Sequence, residues 1–224
     1  MNVSKFGEYQ YMCSHYESVK DQQSLKSHFN VTHIPEGGKL DLWPGYMGSF
    51  IRLNDTAESS ELLIGSFGLI PHWATDTKIA RNTYNARSET VAQKPSFRDA
   101  WKTGQKCIIP ADAIFEPDWR SGKAVPAKIS RADGKPLGIA GLWSVWKSPK
   151  GDLIHSYTML TINADSHPLM NKFHKPADEK RMVVILQDDQ YAQWLNAPTQ
   201  EYGNFLKEYP AELLIATSKQ NSLV

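Results

Sequence analysis

Only two of the 224 residues are cysteine, Cys13 and Cys107, and they form no CxxC pair. They offer neither a disulfide framework nor a zinc site on their own, and both thiols are expected to be reduced. No apolar run approaches the roughly 18 residues that a membrane span needs. The first twelve residues lack the apolar stretch of a secretory signal. A cytoplasmic protein without a membrane partner is therefore expected. A charge excess is missing as well: 25 basic residues against 24 acidic ones leave +1, which speaks against a nucleic-acid binder working by bulk charge. No repeat, low-complexity tract or linker divides the chain.

What is present suits one globular domain. Hydrophobic residues make up 41% of the chain, with 7 tryptophans, and a core at this length can bury roughly 70% of the unfolded surface. A preformed site needs no staples. Charge is unevenly placed: over 78–106 seven basic residues face only Glu89 and Asp99, a net of +5, while the last fifty residues carry −2. That segment is either one basic face or an ordinary solvated surface.

Periodicity and turn residues predict a helix over 17–29, with Val19, Leu25 and Phe29 on one side, and a loop at Pro35-Glu36-Gly37-Gly38. Strands follow over 48–53 and 61–69. The run Asn85-Ala86-Arg87 is expected in a turn, with Ser88 as a helix N-cap and a short helix over 97–103. Two strands, 106–109 and 113–119, are joined at Pro110-Ala111-Asp112. Segments 125–130 and 136–146 read as a hairpin across Asp133-Gly134. A strand over 153–163, a helical turn over 168–173, a strand over 181–187, a helix capped by Asp188, a helix over 198–207 and a strand over 212–218 complete the chain. Without βαβ alternation this is an α+β domain, mostly antiparallel strands in a barrel-like sheet with several short helices.

The residues with chemistry to offer begin at Met12-Cys13. A chain starting at Cys13 carries a free α-amine beside its thiol, and both can add to one carbonyl carbon to close a thiazolidine ring. The α-amine has an ordinary pKa of about 7.7–8.0, so near neutral pH part of it is nucleophilic. Otherwise Cys13 is a small buried apolar residue. Glu116, between Phe115 and Pro117, is either partly desolvated and suited to acid–base work or on the solvent side of its strand.

Met12-Cys13, Gly68-Leu69-Ile70-Pro71-His72-Trp73, Asn85-Ala86-Arg87-Ser88-Glu89-Thr90, Ile109-Pro110-Ala111-Asp112 followed by Phe115-Glu116, and His174 ahead of Arg181-Met182-Val183 occur in the order of one family. From Met12 onward the chain resembles the SRAP family, the SOS-response-associated peptidase-like proteins regarded as abasic-site processing proteins. The resemblance implies a protein that binds single-stranded DNA and captures the ring-opened aldehyde of an abasic site on its N-terminal cysteine. It further implies a self-processing peptidase that removes its own leader, with lyase-like activity through the imine. Cys13 would be the nucleophile, Asn85 would orient it or the sugar, Glu116 would shuttle protons, and His174 would act on the sugar hydroxyl. Arg87 and Arg181 would grip phosphates, and Pro44 and Trp73 would pack against the sugar or an unstacked base. No metal or cofactor is implied, and a monomer is expected.

The chain departs from the family pattern in places. Residues 1–12 are an extension: a leader, an expression remnant or a misplaced start. The usual Cys-Gly-Arg opening is Cys13-Ser14-His15, so His15 stands where an arginine would contact phosphate. Two other functions are compatible with the residues alone. One is a cysteine peptidase using Cys13 with His174 and Asn85, and the other is a single-stranded DNA clamp in which Cys13 is core.

Overall fold

The computed structural model describes residues 14–218. The expectations for Cys13 and for the extension before it lie outside these residues. The strands are β1 (His15–Ser18), β2 (Asp41–Leu42), β3 (Met47–Leu53), β4 (Ser60–Phe67), β5 (Asn85–Arg87), β6 (Lys106–Asp118), β7 (Val125–Arg131), β8 (Leu137–Lys147), β9 (Leu153–Asn163), β10 (Arg181–Val183), β11 (Ile185–Leu186) and β12 (Leu214–Ser218). Three α-helices accompany them, α1 (Gln22–Phe29), α2 (Arg98–Lys102) and α3 (Tyr191–Asn196), with short 3-10 turns between.

All twelve strands share one sheet, which closes on itself through β6, β8, β9, β4 and β3 and back to β6. The single α+β, barrel-like domain expected from the sequence is what forms. Its interior is packed with Phe50, Phe67, Cys107, Tyr157 and Met159, all without solvent exposure, and the Tyr16 and Tyr157 hydroxyls meet there at 2.5 Å. Burial pushes the Cys107 thiol well above its ordinary pKa, as expected of an inert core cysteine. Among the described residues, no helix is long and apolar enough to cross a membrane.

The thirteen-residue β6 is the hub. Its first half pairs with β8 on one edge, from Lys106↔Leu142 to Ala111↔Leu137, and meets β3 on the other at Ile51↔Ile108. Its second half pairs with β7, from Ile114↔Ile129 to Asp118↔Val125, and with β1 from Ala111↔Ser18 to Phe115↔His15. The break predicted at Pro110-Ala111-Asp112 is therefore a change of partners within one strand. Nor do β7 and β8 form a hairpin. They lie end to end along the same edge of β6, and the Asp133-Gly134 turn redirects the chain between them.

Four local expectations shift for identifiable reasons. Glu17 and Ser18 belong to β1, and α1 starts later because Asp21 caps it, accepting from the Gln23 and Ser24 amides at 3.3 and 2.9 Å, an interaction worth about 1 kcal/mol. Asn85-Ala86-Arg87 is not a turn: it pairs in parallel with β9, from Asn85↔Met159 to Arg87↔Thr161. The segment 181–187 is split at Val184, whose amide turns to Leu160 while its carbonyl accepts from Ala140. The helix expected to be capped by Asp188 is instead closed by a reciprocal pair, Gln187 and Gln190.

Candidate functional site

Trp43-Pro44-Gly45-Tyr46 makes the turn between β2 and β3. The Tyr46 amide donates to the Trp43 carbonyl at 2.9 Å, and Gly45 sits at φ +88°. Proline at the second position and a left-handed glycine at the third are the residues of a type II turn, so any side chain at 45 would strain it. Pro44 is half-buried at the crown. The turn presents Trp43 to His15 with ring centroids 4.3 Å apart and planes 9° from parallel. The opposite face of His15 rests on Phe115 at 4.1 Å and 13°. Three rings thus form one pile. The His15 Nε2 bonds the Asp41 carboxylate, which holds that carboxyl below its ordinary range. His15 was expected to take the place of a phosphate-binding arginine. With both faces covered and an acid at its Nε2, it is a structural ring of the pile.

Below the pile opens a cavity of about 360 Å³ lined by Ser14, His15, Trp43, Phe115, Glu116, Pro117, Ala124 and Pro126. Ser14 directly follows Cys13 in the chain. Glu116 is only 1% exposed, so of the two orientations open to it in the sequence it takes the buried one. Its Oε2 lies 3.3 Å from Nε2 of His174, itself 5% exposed.

Backbone contacts fix the second member of this pair. His174 has φ +63°, a left-handed conformation that costs a side-chain-bearing residue of order 1–3 kcal/mol and persists only where its surroundings hold it. Here the His174 amide donates to the Pro117 carbonyl at 2.8 Å, and Phe173 bridges to Asp118. The strained residue is therefore tied to the strand that carries Glu116, one position beyond it. Asp118 is buried and bonded to Arg120, which holds its carboxyl below the ordinary range.

The two arginines expected to grip phosphates meet on one acid beyond His174. Arg87 donates to Glu179 Oε2 at 2.8 Å from a partly exposed position. Arg181 is 1% exposed. Its terminal nitrogens bond Glu89 at 2.8 and 2.9 Å, Glu179 at 2.9 Å and the Thr161 carbonyl at 2.9 Å. A guanidinium so enclosed has no donor left facing solvent, and the phosphate contact expected of Arg181 gives way to a structural one: with Glu179 it anchors the loop that carries His174. Arg181→Ala should lower stability by roughly 2–4 kcal/mol, because the carboxylates and carbonyl around it lose a buried counter-charge. Urea unfolding reads this directly. An unchanged midpoint with weakened DNA binding would return Arg181 to the phosphate.

Asn85 opens β5 with its amide oxygen buried. Trp73 is 45% exposed and donates to the Pro95 carbonyl at 3.4 Å, leaving ring surface open. The basic segment is less uniform than its charge count. Lys106 is buried, bonds the Ala197 carbonyl, lies 4.8 Å from the Tyr202 ring and is pushed by desolvation to a pKa of about 8. Trp43, Phe115, Glu89 and Glu179 carry no expected role in the sequence, although Phe115 and Glu89 stand inside the motifs and the Trp-Pro-Gly turn is a signal for Trp43. Among the described residues, no group of three or more His, Cys, Asp or Glu could hold a metal ion.

A buried acid–imidazole pair under an aromatic-rimmed cavity is compatible with several chemistries. The chain matches the model of the SOS response associated peptidase (SRAP) family over residues 12–221. It belongs to that family. The abasic site processing protein YoqW of Bacillus subtilis (strain 168) is 31% identical over 191 residues, spanning 83% of this SRAP chain and 80% of its own length. The abasic site processing protein HMCES of Xenopus tropicalis is 29% identical over 199 residues, 74% of this chain but 57% of that larger protein. A crystal structure of a Bordetella bronchiseptica protein superimposes with a TM-score of 0.85 at 50% identity, covering 92% of this chain and 99% of the other. The SRAP match starts at Met12, one residue before Cys13.

Proposed function

We propose that this chain processes abasic sites in single-stranded DNA, capturing the ring-opened aldehyde on Cys13 once the residues before it are removed. The Cys13 amine adds to the aldehyde carbon and water leaves, giving an imine. The thiolate then adds to the same carbon while the imine nitrogen takes up a proton. The product is a thiazolidine, with the mass of protein plus DNA less one water. Each stage moves a proton, and the carrying observation is the buried Glu116–His174 pair at 3.3 Å, with Glu116 in the cavity that Ser14 lines.

Glu116 shuttles the proton between nitrogen, departing water and sulfur, and His174 serves the sugar hydroxyl. Asn85 orients cysteine or sugar. Arg87 exchanges Glu179 for a phosphate, while Pro44 and Trp73 pack against the sugar or a neighbouring base. An abasic site offers no base to read, so phosphate contacts and stacking must supply recognition, and a near-neutral chain suffices for that. Removal of residues 1–12 by the protein itself agrees with the peptidase in the family's name, and the imine gives a route to strand cleavage.

The test is intact mass after incubation with single-stranded DNA holding one abasic site. Protein beginning at Cys13 is expected to gain the DNA mass less one water. The full-length chain should show no adduct until its extension is cut, because an internal cysteine has no free amine. Equal adducts from the uncut chain would remove this mechanism and favour a peptidase acting on other chains.

A further inference from the structure

Among the described residues, eight large apolar side chains are exposed, and four of them, Leu40, Trp43, Tyr46 and Met47, fall within positions 40–47. This stretch runs from the edge strand β2, which pairs only with β1, through the Trp43–Tyr46 turn to the first residue of β3. Within it the three-ring pile of Phe115, His15 and Trp43 is one-sided. Phe115 belongs to β6 and His15 has a ring on either face, whereas Trp43 stacks on His15 alone and remains 40% exposed. The pile is continuous with the cavity, because all three residues line it beside Glu116. Its charge is mixed: Asp41 holds His15, and Lys39 lies 3.6 Å from the Tyr46 ring centroid.

From this we infer that Trp43 is a nucleobase platform, taking the unstacked base next to the abasic site as the fourth ring of the pile. A flat partner is required because the rings beneath are parallel within 13°. A base meets that requirement, while a phosphate meets the Asp41 carboxylate. Duplex DNA keeps its bases paired and stacked, so the platform selects single strands or flanks already opened. Trp43 is thereby a specificity-determining residue that touches the DNA beside the lesion. The inference rests on the abasic-site reading for the identity of the strand in the cavity, but binding tests it without cross-linking.

The full-length chain is titrated, with fluorescence anisotropy, against two single-stranded oligonucleotides of equal charge. Both hold a central tetrahydrofuran, an unreactive abasic analogue. One has adenines on either side and the other has further tetrahydrofuran units there. Wild type should prefer the adenine-flanked strand on the order of tenfold, the scale of one base on one aromatic ring. Trp43→Ala should lower that ratio several-fold, with any remainder left to Pro44 and Trp73. Trp43→Leu, apolar but not flat, should do the same, and Trp43→Phe should keep most of it. A wild-type ratio near one, or a ratio unchanged in Trp43→Ala, would overturn the platform. Absence of any adduct from protein beginning at Cys13 would overturn the capture chemistry and leave the measured ratio standing.

Discussion

In protein beginning at residue 13, Cys13→Ala is expected to abolish the adduct that survives denaturation while leaving the aldehyde contact detectable. Alanine keeps the α-amine, so the imine still forms, but no sulfur closes the ring and water reverses the imine. Borohydride in the reaction should reduce that imine to a permanent amine link, recovering the cross-link in the variant. The same imine can open the strand by elimination, so cleaved DNA should accumulate where wild type leaves it intact. Denaturing gels with and without reductant read both outcomes. A stable, reductant-independent adduct in Cys13→Ala would place the nucleophile elsewhere.

Glu116→Gln carries the second large effect. The substitution keeps the size of the side chain and its place on β6, but an amide cannot take and return a proton. Positioned acid–base groups are worth about 10²–10⁴-fold in rate, so single-turnover cross-linking should slow by at least about a hundredfold. Affinity for the tetrahydrofuran strand should stay near wild type. His174→Ala should slow it less, about tenfold to a hundredfold, since Glu116 remains. Quenched time courses at saturating protein separate rate from binding. A Glu116→Gln variant as fast as wild type would mean that solvent carries the protons.

Much of the barrel was legible because its strands are long and bounded by turn residues. The strand expected over 153–163 is the observed Leu153–Asn163. What failed was pairing. The Asp133-Gly134 turn has the chemistry of a hairpin, yet β7 and β8 each prefer β6, and that choice depends on the strand that precedes both of them, Lys106–Asp118, which the Asp133-Gly134 turn does not report. Asn85-Ala86-Arg87 looked like a turn because three residues carry too little alternation to show a parallel neighbour. Of the site, Glu116 and His174 come together as one pair. Arg181 could not be read correctly from its type alone, because a charge deep in the fold is recognised only by the acids around it, and of these Glu89 lies ninety-two residues away while only Glu179 is a neighbour in sequence. His15 likewise gained its role from Trp43, twenty-eight residues on.

The two ends of the acid–imidazole pair differ in how they can be lost. Glu116 stands on a strand clamped along both edges, where a slip of one position would turn every side chain to the opposite face. Inserting or deleting a single residue between Lys106 and Asp118 therefore cannot be absorbed nearby, and would forfeit carboxylate and barrel together. His174 hangs from a connection whose far end is tied by ion pairs, so altered spacing there can retire the imidazole while the rest of the molecule stays whole. Inactive descendants of such a chain should mostly be broken on that side.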